Sequence, residues 1–263
     1  MVRMNSRLST PALALCALFG AALAFVPAAC KPAPHAHDRS IHEGHDHART
    51  HAVRQPGDPA RPVIASDDFY HGLGQWVVEQ MSGGTVSAAD GILTIADEAG
   101  CTVWFRQKFA APLIISYDAT MNPEARVSDL NCFWMASDPA NPADLFHPAH
   151  QRTGQFSTYD TLNTYYVGYG GNANTTTRFR RYDGTGARPL LPEHDLSDAA
   201  HLLKPAHTYA ITITVTADGA TTFARDGEVI FSYRDPKPLA EGWFGFRTVK
   251  SRIEIKNFRV FSL

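Results

Sequence analysis

Residues 208–233 read TYAITITVTADGATTFARDGEVIFSY. Ile211, Ile213 and Val215 fall on one side of an extended chain, and Thr212, Thr214 and Thr216 fall on the other. Side chains alternate across a strand, so this period of two predicts a half-buried antiparallel strand. Asp226-Gly227 predicts a tight hairpin turn, because its positive φ angles favour glycine. Working outward, similar short runs recur from Pro62 onward. They lie at Trp76–Gln80, Gly91–Ala96, Cys101–Phe109, Leu113–Met121, Leu130–Ser137, Thr164–Tyr169, Thr176–Tyr182, Thr208–Thr216, Ala220–Arg225, Glu228–Tyr233, Gly242–Thr248 and Arg252–Phe261. Short strands with turn signals between them predict an all-β, two-sheet antiparallel sandwich. Ser197–Leu203 is the best candidate for a short helix, and there is no internal repeat.

The chain has 263 residues, 44% hydrophobic and 19% charged, with 19 glycines and 17 prolines. That suits one large β domain with many turns, assigned to residues 62–263. A formal net charge of −2 supplies no field to gather phosphates, so nucleic acid is excluded as a general partner.

Arg3 and Arg7 precede an apolar run from Ala12 to Val26, and small residues lead to Ala28-Ala29-Cys30. Residues 1–30 therefore predict a secretory signal. The ending leaves two processing routes open: acylation of Cys30 as a lipoprotein anchor, or ordinary cleavage and release. Either predicts export from a bacterial cell, to the periplasm or to the cell surface as an outer-membrane lipoprotein, and any membrane contact runs through that anchor. Residues 31–61 carry histidines at 35, 37, 42, 45, 47 and 51 and almost no bulky apolar side chain. A segment that cannot bury enough apolar surface to offset its chain entropy is expected to stay disordered, so this stretch reads as a tether. Its histidines match no closed metal-site spacing, and no metal ligand is assigned.

The densest polar-aromatic stretch is residues 159–182, YDTLNTYYVGYGGNANTTTRFRRY. Tyrosines precede a Gly-Gly turn, and Asn172, Asn174, Arg178, Arg180 and Arg181 follow. Tyrosine faces cover apolar C–H surfaces of a sugar, while Asn and Arg bind hydroxyls and carboxylates. Trp104, Arg106 and Lys108 share one strand face, as do Trp243, Gly245 and Arg247. Together these residues predict a curved aromatic and arginine wall for an extended, partly anionic ligand.

The domain resembles the concanavalin-like, lectin-like jelly rolls typified by the YesU type of bacterial protein. The likeness rests on Asn131-Cys132-Phe133-Trp134-Met135-Ala136, on Tyr165 to Asn172, on Thr175 to Tyr182, on Gly242 to Thr248 and on Asn257-Phe258. It implies a role beside bacterial enzymes that degrade acidic polysaccharides. The Glu-x-Asp-x-x-Glu pattern of related jelly-roll glycosidases is absent, which speaks against a paired-carboxylate retaining mechanism.

Two functions from different classes follow. One is a polysaccharide lyase working by β-elimination, or a related glycoside-cleaving enzyme. Its acid and base candidates are Tyr159, Tyr165, Tyr169, His147, His150 and His194, and Arg178, Arg180 or Asn131 would neutralise a uronate carboxylate. The other is a non-catalytic glycan-binding lipoprotein using the same wall. In both, Asn131, Trp134, Arg152, Asn172, Asn174, Arg178, Arg180, Trp104, Trp243 and Arg247 are the substrate-binding candidates, and the partner is a polysaccharide or oligosaccharide that includes uronates. A metal-handling role for the tether is a third reading. A monomer is expected. The sequence requires no cofactor, although Asp67, Asp68 and Asp118 are candidates for a structural calcium ion. Cys101 and Cys132 are left as a disulfide or as two buried thiols.

Overall fold

The alternation read along residues 208–233 is what the sheets are made of. The structure, a computed structural model, describes residues 61–263. The export signal, Cys30 and all but the last residue of the tether lie outside the described residues. Sixteen strands follow: β1 (Val63–Asp67), β2 (Trp76–Gln80), β3 (Gly84–Ala89), β4 (Ile92–Asp97), β5 (Cys101–Phe105), β6 (Phe109–Ala110), β7 (Leu113–Met121), β8 (Leu130–Ser137), β9 (Asn163–Gly170), β10 (Thr176–Asp183), β11 (Asp195–Leu196), β12 (Thr208–Val215), β13 (Ala220–Arg225), β14 (Glu228–Arg234), β15 (Glu241–Thr248) and β16 (Arg252–Ser262).

They form two antiparallel sheets. The first runs β14-β13-β12-β7-β16-β4-β3 with β1 on β16, and the second runs β11-β10-β9-β8-β15-β5-β2 with β6 on β15. The predicted all-β sandwich is the fold of the protein. Ile211, Ile213 and Val215 are buried, whereas Thr212 and Thr214 stay partly exposed. They share one core with Leu93, Ile115, Ile253 and Ile255 of their own sheet and Val103, Cys132, Val167, Phe244 and Phe246 of the second. Each such side chain removed from water contributes about 1.5–3 kcal/mol before entropy is counted. Asp226 and Gly227 have φ of 52° and 83°, the double positive of the twisted hairpin turn that joins β13 to β14.

Some expectations change. The Cys101–Phe109 run breaks in two, because β5 pairs with β15 from Cys101 to Trp104 and β6 pairs with it separately. β1, β3 and β11 carried too little alternating bulk to be read as strands; β3 is GTVSAA at the sheet edge. The helix expected over Ser197–Leu203 is one 3₁₀ turn, Ala199–His201, capped by Asp198 accepting from the Ala200 N–H. Cys101 and Cys132 are free, buried thiols. Burial pushes each thiol up to about 12. Asp67 is taken up by the Trp76 indole (2.8 Å) and the Phe69 N–H (2.7 Å), and Asp118 by Asn257 (2.6 Å). Among the described residues no three His, Cys, Asp or Glu side chains are grouped to hold a metal.

Candidate functional site

The second sheet is apolar on both faces. Trp104, Phe133, Tyr166, Tyr182 and Trp243 point away from the first sheet and build a second core with Leu145, Tyr159 and Leu162. Those last three belong to the connection over residues 138–162, which lies across the outer face. The rings stack in a row: Trp104 on Phe133 at 5.3 Å, Phe133 on Tyr159 at 5.5 Å, and Phe133 on Tyr166 at 4.8 Å. Gly245 makes the row possible, since a Cβ there would stand 2.5 Å from the Trp104 ring.

One carboxylate holds the covering segment down. Glu79, on β2, is 6% exposed. Its oxygens accept from the Trp104 indole at 2.9 Å, from the Tyr159 hydroxyl at 2.8 Å and from Arg152 at 2.9 and 3.1 Å. His150 Nε2 lies 3.8 Å away. Arg152 also donates to the Leu145 carbonyl at 2.5 Å. Burial, and then the Glu79 charge, drive the Tyr159 hydroxyl well above its ordinary range. Tyr159, Arg152, Trp104 and His150 are thus brought together, but around a saturated buried anion rather than an open cleft.

The other central aromatics lie on the opposite side of the sheet. On β9 the alternation sends Tyr166 outward and Tyr165 and Tyr169 inward, into the inter-sheet core with Trp134. The expected wall shared by Tyr165, Tyr169, Arg180 and Trp243 is therefore corrected: period two puts the two tyrosines behind the sheet that Trp243 faces from the front. Tyr165 donates to Asp235 at 2.8 Å, and Asp235 also accepts from Arg181 Nε at 3.0 Å. The Tyr169 hydroxyl accepts from Arg225 at 2.7 Å, and the Trp134 indole donates to Thr221 Oγ1 at 3.0 Å. Burial raises both tyrosine hydroxyls, which weakens either as a general base near neutrality.

The loop histidines and amides have local partners. His147 is exposed, and its Nδ1 accepts from the Ala149 N–H at 3.2 Å. Among the described residues neither His147 nor His194 hydrogen-bonds Tyr165 or Tyr169. Asn174 pairs with both backbone groups of Leu203, at 2.8 and 2.9 Å, and Asn172 donates to Thr176. His194 packs edge-on to Phe179 at 4.9 Å, against Phe231 and against Tyr233. Burial lowers its pKa against the weaker upward pull of Glu193 and the Ser232 backbone. An imidazole held neutral by burial contributes stability that is complete above the unfolded value of 6.5 and lost as pH falls below it. The melting temperature is expected to drop as pH falls below 6.5, with a shallower drop in His194→Phe; superimposable curves would remove His194 as the cause.

What remains open to solvent is one end of the outer face. Arg178 makes a two-point pair with Asp195 (2.7 and 3.1 Å), Arg180 donates to the Arg188 carbonyl at 2.5 Å, and Arg188 pairs with Asp160 at 2.7 Å. Phe156, partly exposed, packs at a tilt of 39° against Tyr166 at 5.3 Å, with the Arg188 guanidinium 4.7 Å and the Arg247 guanidinium 4.8 Å from its ring centre. Tyr182 stands edge-on to Tyr166 at 6.0 Å, and Asn131 is the register partner of Arg247. At the far end Trp243 meets Phe146 and the Lys108 ammonium, which is paired with Glu241. Sequence reading missed Glu79, Phe156, Tyr166, Tyr182, Arg188 and Asp235. A lone acid inside WVVEQ was the only local signal for Glu79.

Residues 95–258 match the family model described as DUF6250, a domain of unknown function. No curated protein matches the chain. Among solved structures the chain is similar to a protein of unknown function with a galectin-like fold from Bacillus subtilis, at 21% identity and TM-score 0.62, covering 76% of this chain and 96% of that one. It is also similar to the carbohydrate-binding module CBM66 from Bacillus subtilis, at 11% identity and TM-score 0.50, over 72% and 96%. A third is the metal-free carbohydrate recognition domain of Emp46p, at 13% identity and TM-score 0.52, over 76% and 94%. At these identities the likeness is one of fold.

Proposed function

We propose that this chain, which belongs to the DUF6250 family, is an exported glycan-binding domain whose ligand lies on the open end of the second sheet's outer face. The observation that carries the reading is the outward-facing Tyr166 ring beside its register partner Arg180, with Phe156 packed over it at 5.3 Å and the Arg188 guanidinium 4.7 Å from the Phe156 ring centre. Flat apolar rings beside guanidinium groups suit sugar C–H faces and hydroxyl or carboxylate groups. The names of two neighbours, a carbohydrate-binding module and a carbohydrate recognition domain, lend support. The proposal includes secretion, tethering through residues 31–61 with or without an acylated Cys30, a periplasmic or cell-surface location and a monomeric state. It extends to uronate-containing chains, in keeping with the YesU-type resemblance. Binding is favoured over lyase action because Tyr159, Tyr165 and Tyr169 are buried, hydrogen-bonded and raised in pKa.

The test is incubation of the protein with acidic and neutral polysaccharides. Retention on an affinity gel, with neither new C=C absorbance nor new reducing ends, is expected. Absorbance from unsaturated ends would replace the binding reading with the lyase one. Arg180→Ala is expected to weaken retention about tenfold, as for loss of a charge-assisted hydrogen bond, while shifting the melting temperature little. Equal loss of both would return Arg180 to a structural role.

A further inference from the structure

Arg247 is the buried cation that the fold leaves unanswered. Arg152 has Glu79 and Arg181 has Asp235. Arg247, 1% exposed, donates from Nη1 to Thr102 Oγ1 at 2.9 Å and to the Gly154 carbonyl at 3.0 Å. Among the described residues it makes no ion pair, and its Nε has no partner. The Asn131 side-chain oxygen and the Tyr182 hydroxyl nearby are buried without partners too. A buried charge lacking a counter-charge is costly, and so is each unpaired polar atom. Both costs fall when an anion with hydroxyls arrives.

Two rings cover the Arg247 guanidinium, Phe156 at 4.8 Å and Tyr159 at 5.0 Å. Tyr159 is fixed by Glu79, and Gly154 is fixed by donating its N–H to the Tyr159 hydroxyl. Phe156 sits between these fixed points on a short turn whose neighbours, Gln155 and Ser157, are exposed. The Asp160–Arg188 pair just beyond it is partly exposed, at 17% and 39% of the side chains. Solvent weakens a partly exposed pair of this kind, so exchange of one carboxylate for another there costs little.

We propose that the slot filled by Phe156 is a subsite for a carboxylate-bearing sugar residue. Phe156 swings out, the sugar ring takes its place on Tyr166, and the carboxylate is held between Arg247 and Arg188, replacing Asp160 on the latter. The proposal rests on the glycan-binding reading and adds the ligand's charge, its residue-level contacts and the plug that blocks it.

The probes are hexagalacturonate and its fully methyl-esterified form, titrated calorimetrically into the full-length protein. Phe156→Ala is expected to bind the acid at least tenfold more tightly than wild type, with the ester unchanged. Adding Arg188→Ala to that variant is expected to abolish the gain, and thermal melts check that both variants fold. An equal gain for acid and ester, or none for the acid, overturns the subsite while leaving glycan binding by the wild type in place. Failure of either protein to bind any saccharide overturns the subsite and the glycan reading together.

Discussion

Glu79→Ala is expected to destabilise the protein by about 3–5 kcal/mol, the range for removing one member of a buried ion pair. The loss has three sources. Arg152, its side chain 2% exposed, keeps a buried charge with, among the described residues, only Asp138 at 3.7 Å to answer it. The Trp104 indole and the Tyr159 hydroxyl lose their acceptor in the same step. The segment over residues 138–162 loses its main polar attachment to the sheet, so the rings beneath it meet water. Chemical denaturation should therefore show a lower midpoint, and proteolysis should cut first within 138–162. Replacing the pair together, Glu79→Leu with Arg152→Met, should recover the part of the loss that comes from the orphaned charge, while the Trp104 and Tyr159 donors stay without an acceptor. A Glu79→Ala protein as stable as wild type would show that the second core holds the segment without the carboxylate.

Asp235→Ala is expected to cost about 3 kcal/mol by the same physics on the other side of the sheet. Asp235, 5% exposed, gathers the Tyr165 hydroxyl, Arg181 Nε and the Lys237 N–H. The Tyr165 hydroxyl in turn accepts from the Leu239 N–H at 3.2 Å. One carboxylate thereby ties β9 and β10 of the second sheet to the chain that leaves β14 of the first. Tyr165→Phe removes a single hydrogen bond and should cost less, about 1–2 kcal/mol. The pair of variants also bears on catalysis. If Tyr165→Phe abolished a glycan-cleaving activity while leaving the denaturation midpoint unmoved, the tyrosine would be a reacting group and its role as a strut would fall.

The fold was legible where the signal is local. Ile211, Ile213 and Val215 declare a strand within five residues, and Asp226-Gly227 declares its turn in two. The site was less legible, because its decisive facts are long-range. Alternation separates Tyr166 from Tyr165 and Tyr169, yet nothing in the sequence says which set looks inward. Trp104 and Trp243 look like parts of an open aromatic platform until residues 138–162 are laid across them. Asn174 looks like a sugar ligand until Leu203, 29 residues on, takes both ends of its amide. Arg247 looks like an open ligand contact until Phe156 and Tyr159 are laid over it, and its lack of a counter-charge appears only once the neighbouring carboxylates have been located.

The sulfur atoms of Cys101 and Cys132 have a practical consequence. No cross-link joins the described strands, so dithiothreitol has no covalent staple to cut there, and packing with hydrogen bonds such as those of Asp235 keeps the two layers closed. Both thiols are inaccessible and poorly ionised while the layers are together, and the thiolate is the nucleophile. An alkylating reagent reaches them only when the sandwich parts, and iodoacetamide reacts slowly compared with reclosing, so its labelling rate gauges how far that open state is populated.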